Sequence, residues 1–323
     1  MSSPGICIVG CGAIAEIHVE ILRSLGASVD HVVGRTEESA ASFAKRLGIP
    51  ASSANLESAL DDLAIQAVVV ASPNRVHFQQ AMTAMEQGRD VLVEIPVALS
   101  YDEAEMLVDF AERHGRLLMP AHSERFIPNL VTLKRRIGRG ELELVHIVGR
   151  ETALRRQNVG WTGRERSWTD DLLWHFGGHA VDLALWLADA QVVELHAQAS
   201  QLDPETNAVM DIDLMLKTDR EQLIAINLSF NCHFDQHEYL LIGRDASFKF
   251  AGGRLIDSFG MVDDPAERGD DYYHLSWRAQ DEEFLGAIHE RRQPSLSVRD
   301  VLPAMRVLQE VANQFRVAEG VSR

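Results

Sequence analysis

The chain has 323 residues, enough for two ordinary domains, and its 46% hydrophobic and 24% charged residues are typical of a globular protein. Its formal net charge of −17 at pH 7 argues against nucleic acids and anionic membrane surfaces as partners. No apolar run approaches the roughly eighteen residues that a membrane span needs, and a strand begins almost at once, so we expect neither a membrane segment nor a signal peptide. The three cysteines, Cys7, Cys11 and Cys232, lack paired or metal-type spacing, which favours a reducing cytoplasm.

The first predicted strand leads directly into a Gly-x-Gly-x-x-Ala turn and then into a helix. Gly10 permits the tight turn, and Gly12 lets the backbone approach a pyrophosphate closely. Ala15 lets the helix pack against the strand, so the helix N-terminus points at negative charge. This context predicts a dinucleotide site at Gly10, Gly12, Ala13 and Ile14, and a structural turn without a ligand is the alternative.

The second predicted strand, Val29–Val33, bears on which dinucleotide is bound. Enzymes that use NAD usually end this strand with an acid that holds the ribose 2′-hydroxyl, but here the sequence continues as Gly34-Arg35-Thr36. Arg35 can pair with a 2′-phosphate and lie over the adenine, while Thr36 can cap the next helix or donate to the phosphate. NADP is therefore favoured over NAD, and the alternative is that Arg35 is an ordinary exposed loop residue.

The first 120 residues alternate strands and helices. The later elements predicted in this part are a strand at Gln66–Ala71, a helix at Arg75–Gly88, a strand at Asp90–Glu94, a helix at Tyr101–His114 and a strand at Arg116–Met119. Ser100 and Glu103 form a capping-box pattern at the start of the second of these helices. The alternation predicts an α/β domain with a doubly wound parallel sheet over residues 1–120.

From residue 121 to 323 the pattern predicts an α+β substrate and oligomerisation domain. Its predicted helices are Pro128–Ile137, Trp168–Leu187, Trp277–Arg291 and Val298–Arg316. Its predicted strands are Glu141–Arg150, Val192–Gln201, Asp211–Thr218, Gln222–Phe230, Glu238–Gly243 and Ser247–Ala251. Their hairpin-like spacing predicts a largely antiparallel open sheet. Because an open sheet usually needs covering, we expect a homodimer or larger oligomer.

One arginine-rich stretch stands out in this acidic chain. Its members are Arg150, Arg155, Arg156, Arg164 and Arg166. Arginine supplies forked donors that match carboxylates, so the stretch predicts a small anionic substrate. A solvated loop or a subunit contact is the alternative.

Three short motifs carry a family resemblance. They are Ser72-Pro73-Asn74-Arg75-Val76-His77, Val91-Leu92-Val93-Glu94-Ile95-Pro96 and His179-Ala180-Val181-Asp182. Together with the glycine turn, they make the chain resemble the GFO/IDH/MocA oxidoreductases along essentially its whole length. The resemblance implies a Rossmann domain followed by a substrate domain, and hydride transfer with a nicotinamide cofactor.

The resemblance also indicates the nicotinamide site. The side chains expected there are Ser72, Pro73, Asn74, His77, Glu94 and Pro96, which follow the carboxyl ends of two strands. Most family members carry lysine where this chain has Ile95, and that lysine helps to polarise the reacting oxygen. Isoleucine has no proton to give, which counts against ordinary polyol chemistry.

A closer resemblance, to one member of the family, is carried by Val93-Glu94-Ile95-Pro96, Ser123-Glu124-Arg125-Phe126-Ile127-Pro128 and Arg166-Ser167-Trp168-Thr169-Asp170-Asp171-Leu172-Leu173-Trp174-His175. This resemblance implies the oxidation of a carboxylated semialdehyde, in its cyclic hemiacetal form, to a lactone in aromatic catabolism. A hemiacetal is already an alcohol, so a base and a hydride acceptor suffice and no cysteine nucleophile is needed. A dehydrogenase of a sugar, cyclitol or sugar acid is one alternative. A catalytically silent NADP-binding regulator is another, and it is compatible with the missing lysine.

The proton chemistry is expected from two histidines of the long helix. His179 is the predicted catalytic base at the family's histidine position, and His175, four residues earlier, is its predicted partner or a substrate donor. Asp171 and Asp182 are expected one turn beyond the pair at either end. A zinc site lacks a third ligand at useful spacing, so no metal is predicted, and a histidine that only fills the interior is a further alternative.

Four residues are predicted to bind the substrate: His122, Arg125, Arg166 and Trp168. Arg125 could hold a carboxylate, and Trp168 could form a wall beside a planar substrate. Packing at the start of an apolar helix is the alternative for Trp168.

Overall fold

Six parallel strands form one sheet in the computed structural model, which describes residues 4–159, 171–260, 262–264 and 271–318. The strands are β1 Gly5–Val9, β2 Ser28–Val33, β3 Ala51–Ser53, β4 Ile65–Val70, β5 Asp90–Val93 and β6 Leu118–Pro120. Their order is β3-β2-β1-β4-β5-β6, so the chain reverses direction across the sheet between β1 and β4. The predicted doubly wound parallel sheet is confirmed, and its strand carboxyl ends meet where such sheets bind ligands.

Five helices alternate with these strands. They are α1 Ala13–Ser24, α2 Glu37–Leu47, α3 Leu56–Ala59, α4 His77–Glu86 and α5 Tyr101–His114. Ser100 caps α5 as predicted, because its side chain accepts the N–H of Glu103 at 3.2 Å. The predicted helix at Arg75–Gly88 is shorter, since a 3₁₀ turn at Asn74–Val76 precedes α4.

Eight strands form the second sheet. They are β7 Leu144–Leu154, β8 Val192–Ala199, β9 Asp211–Thr218, β10 Leu223–Ser229, β11 Asn231–Gly243, β12 Ser247–Ala251, β13 Arg254–Asp257 and β14 Val262–Asp263. Their order is β14-β13-β12-β11-β7-β10-β9-β8, and β7 pairs with β10 in parallel while the other pairs are antiparallel. The predicted largely antiparallel sheet is confirmed, with two strands more at one edge than the pattern indicated.

The remaining helices are α6 Pro128–Gly138, α7 Phe176–Ala188, α8 Tyr272–Glu290 and α9 Val298–Ala318. The long helix predicted from residue 168 begins in the structure only at Phe176, after a turn at residues 172–175, and residues 160–170 lie outside the described part. Among the described helices, none is long and apolar enough to span a bilayer.

The chain divides into two compact units, and the division is not a single cut. The first unit contains the chain up to Ala121 and also Trp277–Leu302, while most of residues 122–276 and the chain from Pro303 form the second. The sequence pattern assigns all of 121–323 to the second domain, so the segment Trp277–Leu302 is a correction. The physical reason is a buried ion pair in the first unit, between His18 on α1 and Asp281 on α8.

Among the described residues, one face of the second sheet is covered by a helix, and the other carries exposed apolar side chains. Helix α7 packs against β7 and β10, whose buried side chains include Ile147 and Ile226. On β9 and β10 the outward positions carry Met215, which is 64% exposed, and Leu223, which is 49% exposed. The predicted homodimer through this sheet stays a prediction, and these apolar side chains are the surface that it would cover.

Candidate active site

The glycine turn after β1 has the geometry that a dinucleotide requires. Gly10 has a φ of +125°, and a Cβ there would lie 2.2 Å from the carbonyl oxygen of Ala71, so no side chain fits. Gly12 is the N-cap of α1 without a side-chain cap, and a Cβ there would meet nothing within 4 Å. The space beside Gly12 is therefore open, and the N–H groups of Ala13 and Ile14 at the start of this helix are the donors expected for a phosphate.

The end of β2 carries no acid in the place where NAD enzymes usually have one. Gly34 is buried, and Arg35 and Thr36 are exposed. The Thr36 side chain caps α2 by accepting the N–H of Ser39 at 3.1 Å, which is one of the two roles predicted for it. The next acid, Glu37, accepts the N–H of Ala54 at 2.8 Å, so its carboxylate is engaged within the protein.

The loop after β4 holds four of the predicted cofactor residues, and one of them bridges two loops. His77 is 1% exposed, and its ring nitrogens lie 2.7 Å from the Ser72 carbonyl oxygen and 2.8 Å from the Pro96 carbonyl oxygen. His77 therefore braces two loops through its ring, and its place at the cofactor site stays a prediction. Pro73 and the buried Asn74 begin the 3₁₀ turn between these contacts.

Glu94, predicted to shape the nicotinamide site, belongs to a buried ionic chain. Its Oε1 atom lies 3.0 Å from Nε2 of His18, whose Nδ1 atom lies 2.8 Å from Oδ2 of Asp281. Burial opposes a charge on His18, but the two carboxylates outweigh it and raise the pKa of His18 to about 10. The second Glu94 oxygen accepts the N–H of Ile95 at 3.2 Å. The Glu94 carboxylate thus fixes its own loop, and its role in shaping the nicotinamide site stays a prediction.

The sequence does not reveal this chain of charges. His18 and Asp281 are separated by 263 positions, so no local spacing connects them. The sequence carries one indication of it, since α1 and α8 each have a titratable residue at a position that helical periodicity places on the inward face.

The two histidines predicted for proton chemistry lie together in the second unit. His175 is the N-cap residue of α7 and His179 lies in its first turn, with their ring centroids 6.1 Å apart. Nη1 of Arg155 lies 3.4 Å from Nδ1 of His175, so one arginine of the predicted anionic-substrate stretch contacts the pair. Asp171, expected beside them, accepts the N–H of Trp174 at 2.8 Å.

Two predicted substrate residues are committed to an internal partner. Nε and Nη2 of Arg125 donate to the Asp182 carboxylate at 2.8 and 2.6 Å, and Nδ1 of His122 lies 3.0 Å from the same group. Burial favours the neutral acid, but Arg125 and His122 outweigh it and hold the pKa of Asp182 far below its usual range. Arg125 balances this buried charge, and the binding of substrate by Arg125 and His122 stays a prediction. Arg166 and Trp168 lie outside the described residues.

A buried group that the sequence did not reveal adjoins His179. We call it the Glu124 cluster, and it consists of Glu124, Glu151, His237 and Tyr239. Oε1 of Glu124 lies 3.8 Å from Nδ1 of His179 and 3.2 Å from Nε2 of His237. The Tyr239 hydroxyl donates to Glu151. The members come from a 3₁₀ turn and two strands, so no local spacing connects them.

Two members of the cluster hold their protons more tightly than usual, and Glu124 holds its proton less tightly. Burial and the nearby charge of Glu124 raise the pKa of Glu151 to about 8. Burial opposes a charge on His237, but Glu124 and Glu151 outweigh it and raise the pKa of His237 to about 9. Burial also favours neutral Glu124, yet the histidines around it lower its pKa. At neutral pH the cluster is therefore one carboxylate, one imidazolium and one carboxylic acid.

The comparisons with known proteins agree with this architecture. The family model described as an oxidoreductase family with an NAD-binding Rossmann fold matches residues 5–122, and the model of bacterial oxidoreductase C-terminal domains matches residues 128–249. A 4-carboxy-2-hydroxymuconate-6-semialdehyde dehydrogenase of Sphingobium sp. (strain NBRC 103272 / SYK-6) is 32% identical over 96% of this chain and 98% of its own length. The chain belongs to the GFO/IDH/MocA oxidoreductase family.

Two further proteins that are similar to this chain are named as dehydrogenases of sugar derivatives. A glucose-6-phosphate 3-dehydrogenase of Bacillus subtilis (strain 168) is 26% identical over 80% of this chain and 79% of its own length. The structure of a UDP-N-acetylglucosamine 3-dehydrogenase from Acidithiobacillus ferrooxidans superposes with a TM-score of 0.83 at 20% identity, covering 96% of this chain and 97% of that one. As a GFO/IDH/MocA oxidoreductase, the chain is an NAD(P)-dependent dehydrogenase.

Proposed function

We propose that the enzyme oxidises a carboxylated semialdehyde, in its cyclic hemiacetal form, to a lactone with NADP. The substrate class is that of 4-carboxy-2-hydroxymuconate-6-semialdehyde, and the product is 2-pyrone-4,6-dicarboxylate. The observation that carries the proposal is 32% identity to the Sphingobium dehydrogenase along nearly the whole of both chains. Ile95, in place of the lysine that most family members use, supports a reaction other than ordinary polyol oxidation.

The chemistry needs a base and a hydride acceptor. The hemiacetal carbon carries one hydrogen and one hydroxyl group, and loss of hydride from carbon and of the proton from oxygen leaves the lactone carbonyl. NADP, when bound, supplies the hydride acceptor. No thiohemiacetal is required, which agrees with Cys7, whose burial raises its pKa to about 12 and leaves it an unreactive thiol.

His179 is the proposed base. Its side chain is 19% exposed, so it can reach a substrate hydroxyl, and imidazole is suited to proton abstraction near neutral pH. His175 is the proposed partner, either orienting the substrate or donating a hydrogen bond to it. Arg155, beside His175, could attract a substrate carboxylate to the same place.

The preference for NADP rests on the end of β2. Arg35 is exposed there, and a guanidinium group forms paired hydrogen bonds with phosphate oxygens. Glu37 is already engaged by the Ala54 N–H, so it is a poor replacement for the acid that NAD enzymes use at the ribose. NAD is the alternative cofactor.

Oxidation of a sugar, cyclitol or sugar acid is the second candidate, because the Bacillus subtilis relative is named for a sugar phosphate. A substrate screen with NADP, which places the semialdehyde beside sugars and sugar acids, decides between the two. NADPH formed only with the semialdehyde supports the proposal, and turnover confined to sugars overturns it. An absence of turnover with tight NADP binding favours a silent regulator.

The role of His179 is tested by His179→Asn. A general base contributes about 10²–10⁴-fold, so we expect kcat to fall within that range while NADP affinity stays near that of the wild type. The acid limb of the kcat/KM profile should vanish as well, because it reports protonation of the base. His289→Asn, at an exposed position of α8, is the matched control. An unchanged rate and profile in His179→Asn would transfer the role to another group, first to His175.

A further inference from the structure

A buried carboxylate lies behind the proposed base. Glu124 is 6% exposed and belongs to the 3₁₀ turn at Ser123–Phe126, and His179 lies on α7. Oε1 of Glu124 is 3.8 Å from Nδ1 of His179, on the side of the ring opposite Nε2. A carboxylate at this place can act on the imidazole without touching the substrate.

We propose that Glu124 is a positioning residue for His179. Its negative charge turns Nδ1–H towards the carboxylate, leaves Nε2 as the proton acceptor and stabilises the imidazolium that forms when Nε2 takes the hydroxyl proton. The proposal rests on the proposed function, in which His179 is the base. At 3.8 Å the contact is electrostatic and is longer than a hydrogen bond, and such contacts often tighten once the substrate is bound.

The coupling between the two groups is reciprocal. Charged His179 is among the groups that lower the pKa of Glu124, so by linkage the Glu124 carboxylate favours the protonated form of His179 by the same amount. This coupling helps a general base in two ways. The proton is accepted more readily, and the charge that appears on the ring is balanced at once.

Glu124 can position His179 only if its carboxyl group stays ionised although it is buried. The other members of the cluster stabilise this ionised form. The ring of His237 stacks near Tyr272 and Tyr273, and its Nδ1 atom lies 3.3 Å from the Tyr272 hydroxyl oxygen. The opposite nitrogen, Nε2, faces Glu124 at 3.2 Å, so the imidazolium compensates the carboxylate. Glu151, 4.0 Å from His237, is neutral at pH 7 and adds no second negative charge.

Among the residues that the structure describes, the titratable groups that face Glu124 are His122, Glu151, His179, His237, Tyr239, Tyr272 and Tyr273. The tyrosine hydroxyls all have pKa values raised by burial, so they stay neutral over the pH range of an assay. Changes in the charge on Glu124 and on the histidines therefore dominate the electrostatics at His179.

A divalent cation is the competing occupant of this place. One atom each from Glu124, Glu151 and His237 lies within 4.8 Å of the others, which is a spacing that metal ligands can have. Both carboxyl groups already have partners within the protein, however, because Oε1 of Glu124 lies 3.2 Å from Nε2 of His237 and the Tyr239 hydroxyl donates to Glu151. We therefore favour the positioning role, and metal binding is an outcome of the test.

The decisive variant is Glu124→Gln, which removes the charge and keeps the size. We expect kcat to fall about tenfold or more and the acid limb of kcat/KM to move to lower pH by about one unit, since one pH unit corresponds to a factor of ten in proton affinity. KM and NADP affinity should stay near wild-type values. Glu124→Asp retains the charge and should recover part of both effects, whereas a merely structural residue would move KM or stability and leave the acid limb in place.

Glu151→Gln is the matched control. It replaces a buried carboxyl group of the same cluster that is neutral at pH 7, so the acid limb should stay at its wild-type position. An acid limb that moves equally in Glu151→Gln and Glu124→Gln would mean that disturbance of the cluster, and not the Glu124 charge, is the cause, and it would overturn the proposal.

A second readout keeps the proposal separate from the choice of substrate. Histidine ring signals can be titrated by NMR without turnover, with His179 assigned through His179→Asn. A midpoint about one unit lower in Glu124→Gln supports the coupling even if no hemiacetal is oxidised, in which case the proposed function alone fails. An unchanged midpoint overturns the coupling. If Glu124→Gln does not fold, the same comparison with Glu124→Asp, whose carboxylate lies one methylene further back, decides with a smaller shift. Activity lost on chelation with EDTA and restored by Zn²⁺ or Mn²⁺ would overturn the proposal in favour of a cation site.

Discussion

Replacing His18 with glutamine should cost the enzyme much of its stability, because this buried imidazolium separates two carboxylates. His18 is 1% exposed and Asp281 is fully buried, and the Glu94 side chain is 16% exposed. Glutamine has a similar size but no charge. We expect His18→Gln to lower the free energy of unfolding at pH 7 by about 3–5 kcal/mol, the usual cost of leaving a buried charge without its partner.

The magnitude follows from the distances. At 2.8 and 3.0 Å, and with an effective dielectric constant of 20, each contact gives about 6 kcal/mol of attraction. Burial of the imidazolium removes a large part of that sum. What remains is reflected in the pKa of His18, which rises from 6.5 to about 10 and corresponds to about 5 kcal/mol. In the variant, rearrangement of the two carboxylates around the neutral glutamine offsets part of this loss, which brings the expected value into the range given above.

The direction of the pKa shift of His18 determines how its contribution to stability changes with pH. Folding raises the pKa of His18, so the folded state binds this proton more tightly than the unfolded chain does. The stabilisation is fully present below pH 6.5 and is lost as the pH rises through about 10. The difference in stability between the wild type and His18→Gln should therefore be greatest near pH 6 and shrink steadily towards pH 10.

Urea unfolding of the full chain, followed by far-UV circular dichroism at several pH values, measures this difference. His31→Gln is the control, because His31 lies half-buried in the same unit and bonds a serine hydroxyl instead of a buried carboxylate. A loss below about 1 kcal/mol in His18→Gln would refute the reasoning. A loss that stays constant from pH 6 to 10 would attribute it to packing instead of charge.

Two predictions concern the cofactor site. Arg35→Ala should weaken NADP binding by about 1.5–3 kcal/mol, the contribution of a charge-assisted contact, and should barely change NAD binding. Calorimetric titration of the variant with each cofactor measures both affinities, and equal losses would mean that Arg35 has no role at the 2′-phosphate. Gly10→Ala should destabilise the first unit, because its Cβ would lie 2.2 Å from the Ala71 carbonyl oxygen at a φ of +125°. A melting temperature and NADP affinity equal to those of the wild type would contradict the geometry of the turn.

The elements that the sequence predicts well are those that local physics determines. Strands β1, β4 and β5 are short apolar runs buried along nearly their whole length, and Gly10 is required by one turn, so neighbouring residues suffice to indicate them. The position of His175 and His179 on one helix is local in the same sense.

The parts that the sequence does not predict depend on pairs of charges far apart in the chain. The sequence shows that an arginine such as Arg125 can bind a carboxylate, but it does not show that Arg125 is already paired with Asp182. Glu124 and His237 are likewise surface-type residues whose burial is decided by elements that meet only in the folded sheet. For the same reason the sequence indicates a base in His179 but not the carboxylate behind it.

The late position of Asp281 in the chain affects how the protein is made. His18 emerges from the ribosome early, while its buried partner follows 263 residues later, after nearly all of the second unit. Domains generally fold as they are synthesised, but here the N-terminal sheet must wait for Trp277–Leu302 before its ionic core is complete. The nascent enzyme therefore spends most of its synthesis with an unfinished first unit, and a chain that stops before residue 277 leaves that unit without the carboxylate that its buried histidine requires.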